Sequence, residues 1–330
     1  MESNLLSVIV LAYNHEKYLD QTLGGVLSQK TSFPFKVLIT DDGSTDRTRL
    51  IINSYIDTFP NRIIPVFNDH NIGLNETLKK VILLIDTKYT CLLGGDDYWI
   101  DDRKLQKQID ILESHPEISF IHTGVQYLDD ESGTFVKIVN DWQWKMPLDR
   151  NKRLISFLSN DFNGYPCAST SCFRTTPFLD CYNAFPQLLD YGVGEGTLLH
   201  ASMCMYGDKY FFLPDITTVY RLRNNSLSHF RDEWGMINFQ IDYLKLKILT
   251  FKLFHIPYTD YHKIVTTTLN LYLVKAFLCG CLEKYRVKIE KIGLKKGVIN
   301  KYRVLLSSRI LTFLFVTIFR IQDKLKSFFK

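Results

Sequence analysis

The first 115 residues alternate short apolar runs with segments of helical periodicity, and this alternation constrains the fold of the 330-residue chain most strongly. Residues 7–12 are almost continuously apolar, as expected for a strand buried on both faces. Similar runs predict strands at 35–40, 62–67 and 89–93, and Pro65 favours a sheet edge for the third of them. Helical periodicity is seen at 17–29, 46–58, 73–85 and 104–114. The chain is therefore predicted to be α/β, with an open, mostly parallel, Rossmann-like sheet flanked by helices.

The pattern changes after residue 115 and becomes mixed. Strands are predicted at 118–121, 125–128, 134–139, 210–213 and 217–221, a turn-like stretch at 142–153, and short elements at 154–159, 169–174 and 196–205. From residue 233 to the end the pattern is almost entirely helical. The sequence thus predicts an α/β half at 1–115, a second half of the same domain at 116–232, and a helical C-terminal region at 233–330.

Charge is distributed very unevenly along the chain. Residues 241–330 hold 18 basic and 5 acidic side chains, a balance of +13, whereas residues 1–240 hold 22 and 30, a balance of −8. A basic tail on an acidic body predicts contact with an anionic surface, either lipid or nucleic acid. The basic residues match no nucleic-acid recognition motif, so lipid is favoured.

The end of the tail carries an apolar stripe at steps of three or four residues. Its members are Leu306, Ile310, Leu314, Ile318, Ile321, Leu325 and Phe328. The apolar segment 310–319 is too short to span a bilayer, and no window of 18 uninterrupted apolar residues exists. The pattern favours an amphipathic helix lying at the membrane surface, with packing against the protein body or a partner as the alternative.

The cysteines and the N-terminus indicate the compartment. Seven cysteines are scattered without a CxxC pair, which favours reduced thiols over disulfides or a zinc site. The chain begins with an acidic residue at position 2 and a strand pattern rather than a secretory signal. We therefore expect a cytoplasmic protein, peripheral at the inner face of the cell membrane.

Acidic residues follow two of the predicted strands, where ligands bind in open α/β sheets. Asp41 and Asp42 end the second strand, and Asp96 and Asp97 follow two glycines after the fourth. Adjacent carboxylates repel each other unless cations or hydrogen bonds offset the repulsion. Oxygen ligands at such a place suit Mg²⁺ or Mn²⁺ bound jointly with substrate phosphates. The alternatives are a capped turn for the first pair and a solvated acidic loop for the second.

A third acidic group lies far downstream, in the segment LLDYGVGEGTLLH. It contains Asp190 and Glu195 and precedes a predicted helix. By itself, Glu195 is more typical of an acid in the first turn of a helix than of a catalytic group.

The strings SVIVLAYNHEKYLDQTL, TDDGSTDRT and LGGDDYWIDDRKLQKQIDIL, in this order and spacing, resemble glycosyltransferase family 2. The resemblance is strong over residues 6–130, weaker over 150–230 and absent after about 240. It implies a GT-A type fold and an inverting transferase that uses nucleotide sugars, commonly UDP-linked hexoses or N-acetylhexosamines. The acceptor would be a hydroxyl of a glycan or lipid-linked molecule, in bacterial surface polysaccharide synthesis.

The resemblance also implies roles for individual residues. Asp42 would hydrogen-bond the nucleobase, Asp97 would hold the divalent metal, Mn²⁺ or Mg²⁺, and Asp96 would lie nearer the ribose. Glu195 falls where the family keeps its catalytic base, although Gly196 follows where relatives commonly have an aromatic or acidic residue, and Asp190 is the reserve candidate. Further nucleotide-sugar contacts are implied for Ala12, Tyr13, Asn14, Arg221, Arg223 and His229.

The residues are compatible with this chemistry. One carboxylate can take the proton of the attacking hydroxyl, while a metal at Asp97 offsets charge on the departing nucleoside diphosphate. A dehydrogenase is excluded because no glycine-rich turn follows the first strand. A metal-dependent nucleotidyltransferase remains an alternative but lacks an early glycine-rich basic loop. A glycosyltransferase-like protein that binds nucleotide sugars without turnover is the non-enzymatic alternative.

Overall fold

The structure is a computed structural model that describes residues 4–160, 166–190, 194–223, 232–292, 300–302, 306, 312 and 315–317. The chain divides into two compact units, residues 1–223 and residues 224–330. The three-part division of the chain made from the sequence stays a prediction.

The first unit contains a mixed sheet, to which the described residues contribute nine strands. Its first four strands pair in parallel, in the order β3-β2-β1-β4. They are β1 (Leu6–Leu11), β2 (Phe35–Asp42), β3 (Ile63–Asn68) and β4 (Tyr89–Gly94). Val8, Val37 and Cys91 are fully buried in this part of the sheet, which explains its continuous apolar runs. β3 lies at the edge of the sheet, as Pro65 predicts.

The sheet continues from β4 in the order β8-β6-β9-β5, and one further strand, β7, pairs with β6. These strands are β5 (Tyr98–Trp99), β6 (Ile118–Asp129), β7 (Thr134–Val139), β8 (Cys172–Arg174) and β9 (Lys209–Leu222). β6 and β9 are parallel, whereas β4-β8, β6-β8, β6-β7 and β5-β9 are antiparallel. The α/β fold class predicted from the sequence is confirmed.

Two pairs of predicted strands are in fact single long strands. The predicted segments 118–121 and 125–128 form β6, and 210–213 and 217–221 form β9. The register shifts on either side of Gly124, opposite Pro214 and Asp215, which have no partner in the ladder. A Cβ atom on Gly124 would lie 2.9 Å from the Pro214 carbonyl oxygen. This bulge interrupts the alternation of side chains, which is why the sequence suggested breaks.

The helices of this unit lie in the connections between strands and flank the sheet. They are α1 (Leu19–Leu27), α2 (Thr48–Thr58), α3 (Leu74–Ile82), α4 (Lys104–Ser114), α5 (Arg150–Leu158), α6 (Thr175–Ala184) and α7 (Gly194–Met205). α5 begins inside the stretch predicted as turn-like, because the Asp149 side chain caps it by accepting from the Lys152 N–H at 2.8 Å. α6 was not predicted.

The second unit is helical over its described residues, as predicted. Its helices are α8 (Glu233–Leu253), α9 (Tyr258–Leu278) and α10 (Leu282–Glu290). Tyr285 is fully buried, and its hydroxyl donates to the Leu269 carbonyl at 2.6 Å, joining α10 to α9. Within the described part of the chain, no helix has the length and apolar character needed to span a membrane. Of the predicted tail stripe, only Leu306 lies among the described residues.

Candidate active site

The carboxyl ends of β1, β2 and β4 meet at one place, as the parallel sheet requires. The Gly95 N–H donates to the Leu11 carbonyl at 2.7 Å, and the Asp42 N–H donates to the Ala12 carbonyl at 3.1 Å. The acidic pairs that follow β2 and β4 are thus anchored to the same segment. We call Asp42, Asp96 and Asp97 together the acidic edge.

The loop after β1 is bonded to the loop after β2. Asn14 adopts a positive φ of 52°, its N–H donates to Ser44 Oγ at 2.9 Å, and its Oδ1 accepts from the Thr45 N–H at 2.9 Å. Gly43 has a φ of 67°, and a Cβ there would approach the His70 carbonyl carbon to 2.3 Å. Only glycine fits such a turn. Tyr13, by contrast, is 40% exposed at the rim.

Asp42 is buried, and donors occupy both of its carboxylate oxygens. Its Oδ1 accepts from Asn68 Nδ2 and from the Ile72 N–H, each at 2.9 Å, and its Oδ2 accepts from the Gly73 N–H at 2.9 Å. These donors come from the end of β3 and the loop that follows it. Asp42 is therefore fixed in orientation before any ligand binds.

Asp97 is 2% exposed and is held by two donors from distant parts of the chain. Its Oδ1 accepts from the Arg221 N–H at 3.0 Å, and its Oδ2 accepts from Ser169 Oγ at 2.5 Å. Burial and the neighbouring Asp96 carboxylate raise the pKa of Asp97 well above its usual range. A nearby cation would lower that pKa again, so the carboxylate is suited to hold one.

Asp96 is paired with a side chain from the end of β9. Its Oδ2 lies 2.6 Å from Arg223 Nη2, and both side chains are 18% exposed. The same Arg223 nitrogen lies 3.1 Å from His15 Nε2, so it donates to a neutral imidazole. Burial lowers the pKa of His15, which agrees with the neutral form.

The carboxylates of Asp96 and Asp97 both lie close to Gly94. A Cβ atom on Gly94 would lie 2.8 Å from Asp96 Oδ1 and 3.4 Å from Asp97 Oδ2. No cluster of three or more metal-ligating side chains occurs among the described residues. Two carboxylates supply hard oxygen ligands of the kind that suits Mg²⁺ or Mn²⁺ when the ion is held jointly with substrate phosphates. The donor set fits such an ion but does not complete its coordination.

The Tyr18 ring lies beside two arginines, Arg221 in β9 and Arg223 directly after it. The guanidinium carbons of Arg221 and Arg223 lie 5.0 and 5.1 Å from the centre of the Tyr18 ring, and Arg221 also lies 4.7 Å from the Tyr98 ring. Tyr18 donates its hydroxyl to Asp130 Oδ2 at 2.6 Å. Both arginine Nε atoms are buried without a hydrogen-bond partner among the described residues. The pair therefore retains donors for an anion.

Sequence reasoning missed three residues of this site: His15, Tyr18 and Ser169. The first two stand inside a string that was quoted, AYNHEKY, but neither had an obvious partner in the sequence. Both contact Arg223, which directly follows β9 and lies more than 200 positions away along the chain. Ser169 stands in a segment with no charged residue to mark it.

Glu195 lies in the first turn of α7. Its Oε2 is shielded from solvent and has no hydrogen-bond partner among the described residues. Burial raises the pKa of Glu195, and the backbone N–H groups of Glu195 and Gly196 act in the opposite direction. No hydrogen bond or ion pair among the described residues joins Glu195 to the acidic edge.

The reserve candidate has a different environment. The Asp190 side chain is 55% exposed and lies 2.9 Å from Lys79 Nζ, an ion pair that also involves Glu76. Such a pair is typical of a solvated surface contact. His229, the remaining predicted residue, lies outside the described residues.

A second part of this unit is built from aromatic rings and histidines. We call it the aromatic layer; its members are Phe120, His122, Trp142, Trp144, Phe157, His200, Tyr210 and Phe212. Phe157 and His200 stack with ring centres 4.3 Å apart, and His122 meets Trp142 edge-on at 4.5 Å. Burial lowers the pKa values of His122 and His200 to about 3. Both imidazoles are therefore neutral at pH 7.

Comparison with known proteins adds relatives of two kinds. An uncharacterized protein of Mycobacterium tuberculosis is 30% identical over 224 residues, which cover 68% of this chain and 60% of the relative. Escherichia coli WfaP, a UDP-Glc:alpha-D-GlcNAc-diphosphoundecaprenol beta-1,3-glucosyltransferase, is 32% identical over 131 residues, covering 37% and 50% of the two chains. The chain thus spans well under two thirds of the length of these curated relatives.

Among solved structures, S. aureus TarS 1-349 in complex with UDP-GlcNAc is 17% identical, with a TM-score of 0.51. The match covers 90% of this chain and 91% of that one, and it establishes a GT-A type fold. Residues 7–172 match the profile of Glycosyl transferase family 2, a region that contains all three quoted motifs and the whole acidic edge. The chain belongs to glycosyltransferase family 2.

Proposed function

We propose that this protein is an inverting glycosyltransferase that moves a sugar from a UDP-linked donor to a hydroxyl of a glycan or lipid-linked acceptor. The observation that carries the proposal is the acidic edge, where Asp97 is buried beside Asp96 and no ion pair among the described residues joins it to a cationic side chain. The UDP-linked donors named for WfaP and TarS support the choice of nucleotide. The acceptor named for WfaP supports a role in bacterial surface polysaccharide synthesis.

The donor would lie across the ends of β1, β2 and β4. Asp42, with both oxygens already held, presents a fixed acceptor toward the base, and Asn14 orders the loop beside it. Asp97 would hold a divalent cation, Mn²⁺ or Mg²⁺, which when bound offsets negative charge on the leaving diphosphate, and Asp96 would lie nearer the ribose. Arg221 and Arg223 supply further positive charge on the same side.

Glu195 would act as the base. A carboxylate whose pKa is raised by burial holds a proton more strongly and is a better general base near neutral pH. Because its Oε2 has no partner among the described residues, it is available to accept the proton of an attacking hydroxyl. Inversion follows if the base and the leaving group lie on opposite faces of the sugar.

The test is thermal unfolding of the protein with a panel of UDP-, GDP- and dTDP-sugars, with and without MnCl₂. We expect a UDP-sugar to raise the Tm in a manner that depends on Mn²⁺, because a ligand at about 100 times its Kd adds about 2.7 kcal/mol of stability. NMR of the product with the best donor would then show the anomeric configuration. A panel in which no nucleotide sugar raises the Tm would overturn the proposal.

Turnover separates this function from its alternatives. With donor and Mn²⁺ present, a transferase releases UDP as it transfers or slowly hydrolyses the sugar. A protein that only binds nucleotide sugars would show the Tm shift and release no UDP. A nucleotidyltransferase would release pyrophosphate from a nucleoside triphosphate and a sugar phosphate.

Peripheral membrane contact through the basic tail is part of the same proposal. It is supported by the balance of +13 over residues 241–330. The protein should sediment with vesicles that contain anionic lipid and remain in the supernatant with neutral ones. A chain truncated after Tyr302 that still sediments would exclude the terminal stripe as the anchor.

A further inference from the structure

A short 3₁₀ turn, Ala168–Thr170, supplies the hydroxyl that bonds Asp97. Ser169 is 4% exposed, and its Oγ lies 2.5 Å from Asp97 Oδ2. The same Oγ accepts from the Gly94 N–H at 3.3 Å. Because a carboxylate oxygen only accepts, the Ser169 hydroxyl donates its proton to Asp97 Oδ2 while one of its lone pairs accepts from the Gly94 N–H. Ser169 thus connects the end of β4 to the carboxylate that follows it.

Side chains from outside this turn donate hydrogen bonds to its backbone carbonyls. Trp99 Nε1 donates to the Ser169 carbonyl at 2.9 Å. Gln108 Nε2 and Lys104 Nζ both donate to the Thr170 carbonyl, at 3.0 and 3.2 Å. We call Trp99, Lys104 and Gln108 the clamp.

Lys104 is the unusual member of the clamp. It is fully buried on α4, and no ion pair joins it to a carboxylate among the described residues. Its Nζ bonds Gln108 Oε1 at 2.6 Å and lies 4.6 Å from the centre of the Trp99 ring. Burial lowers the pKa of Lys104.

An amine is costly to bury, whereas an apolar side chain would fill the same place on a core helix without that cost. Among the described residues, the hydrogen bonds of Lys104 Nζ go to the turn or to another clamp residue. The backbone that carries Ser169 is therefore held by hydrogen bonds from buried polar atoms of α4, and not by packing alone.

We propose that Ser169 is a positioning residue that orients the Asp97 carboxylate for a divalent cation bound with the donor diphosphate, and that the clamp fixes the turn from which it acts. This inference rests on the proposed function. Carboxylates that bind metals are commonly oriented by hydrogen bonds from neighbouring groups, and losing such a bond typically costs 10–100-fold in metal affinity. Preorientation also lowers the ordering cost of binding.

The experiment measures the MnCl₂ concentration that gives half of the maximal Tm increase by UDP, using the full-length protein. Ser169→Ala removes the hydroxyl, and we expect the required Mn²⁺ concentration to rise by about tenfold or more. The Tm shift by UDP in EDTA should be the same as in the parent, because the diphosphate and base contacts are retained.

Ser171→Ala is the matched control. Ser171 lies just beyond the same turn, is fully buried, and donates its hydroxyl to the Ala168 carbonyl at 2.7 Å instead of to Asp97. We expect this variant to keep the parental Mn²⁺ requirement even if its Tm falls. Ser169→Cys, whose sulfur is larger than the hydroxyl oxygen and a weaker donor, repeats the test without a cavity and should also raise the requirement.

The outcomes separate this inference from the proposed function. If UDP does not stabilise the parent in a Mn²⁺-dependent way, the donor site itself is wrong and the role of Ser169 falls with it. If the parent responds, and Ser169→Ala and Ser169→Cys both keep its Mn²⁺ requirement, only the positioning role is overturned. A raised requirement in Ser171→Ala equal to that of Ser169→Ala would also overturn it.

Discussion

The acidic edge and the aromatic layer belong to the same unit but are held together by different forces. At the acidic edge, each carboxylate has a named partner: Asp42 accepts three hydrogen bonds, Asp97 two, and Asp96 is paired with Arg223. In the aromatic layer, rings and neutral histidines pack face to face or edge to face. Hydrogen bonds therefore fix the carboxylates of the acidic edge, whereas burial keeps the histidines of the aromatic layer uncharged.

The two carboxylates proposed for the reaction follow the same division. Asp97 is bonded on both oxygens, whereas Glu195 Oε2 has no partner within the described chain. A group that must hold an ion benefits from fixed geometry. A group that must exchange a proton needs an oxygen that is free to accept it. The four predictions below test this contrast, from the largest effect to the smallest.

Glu195→Gln should lower kcat by about 10²–10⁴-fold, because an amide cannot accept the proton of the acceptor hydroxyl. The Tm shift by UDP and Mn²⁺ should be unchanged, since no described contact joins Glu195 to the acidic edge. Steady-state transfer assays and thermal unfolding would measure the two effects. Asp190→Asn is the control and should retain activity; an inactive Asp190→Asn beside an active Glu195→Gln would move the base to Asp190.

Asp97→Asn should abolish Mn²⁺-dependent stabilisation by UDP and yet raise the Tm of the ligand-free protein. The raised pKa of Asp97 means that the buried charged form costs stability at neutral pH, and an amide removes this cost; its oxygen can still accept from the Arg221 N–H, and its NH₂ can donate to Ser169 Oγ. Differential scanning calorimetry with and without UDP and MnCl₂ would measure both. A ligand-free Tm below that of the parent would contradict this account of the site.

Acid should destabilise the aromatic layer. The pKa values of His122 and His200 are about 3 in the folded state, against 6.5 for the free side chain, so only the unfolded chain takes up their protons as the pH falls below about 6.5. Stability should then fall by up to about 1.4 kcal/mol per pH unit per histidine down to about pH 3. Asp97 and Glu195 act in the opposite sense, because their folded pKa values are raised.

Urea unfolding at pH values between 7 and 4 would measure the slope of the free energy of unfolding against pH. His122→Gln should make the slope shallower, whatever its effect on stability at pH 7. The matched control is His115→Gln, because His115 is exposed and its ring makes one bond to the Ile111 carbonyl. Equal slopes in the parent and His122→Gln would show that this histidine is not responsible.

The smallest effect is expected at Tyr18. Tyr18→Leu removes the ring beside Arg221 and Arg223, and a cation–π contact contributes about 0.5–1 kcal/mol. The Kd for UDP should rise by about threefold, and Tyr18→Phe, which loses only the bond to Asp130, should change it less. Isothermal titration calorimetry would compare the three proteins; equal affinities would remove Tyr18 from the site.

The parallel part of the fold could be predicted from the sequence, and the antiparallel part only partly. β1, β2 and β4 are buried on both faces, so each is a continuous apolar run that begins and ends within two residues of the prediction. β9 contains a bulge at Pro214 and Asp215, beside Gly124 of β6, and the interrupted pattern suggested two strands in place of one at each of β6 and β9. α6 follows β8 directly, without a loop to separate their patterns.

The same limit applies to the site. Asp42, Asp96 and Asp97 could be located because acidic residues at the ends of parallel strands are conspicuous. Ser169 and Tyr18 could not, because a hydroxyl becomes informative only when its partner is known, and these partners lie 72 and 112 positions away. Pairing β9 with β6 brings Arg221 and Arg223 to the site, and that pairing joins residues more than 90 positions apart.

The ion pair between Arg223 and Asp96 has a consequence for recognition of the diphosphate. A nucleotide whose ribose hydroxyl bonds Asp96 Oδ2 would displace Arg223 from that oxygen, and the released guanidinium can then turn to a phosphate. Binding becomes an exchange of partners in which the number of opposite-charge contacts is nearly conserved. We therefore expect the affinity for UDP to depend less on ionic strength than the number of charged groups in the site would suggest.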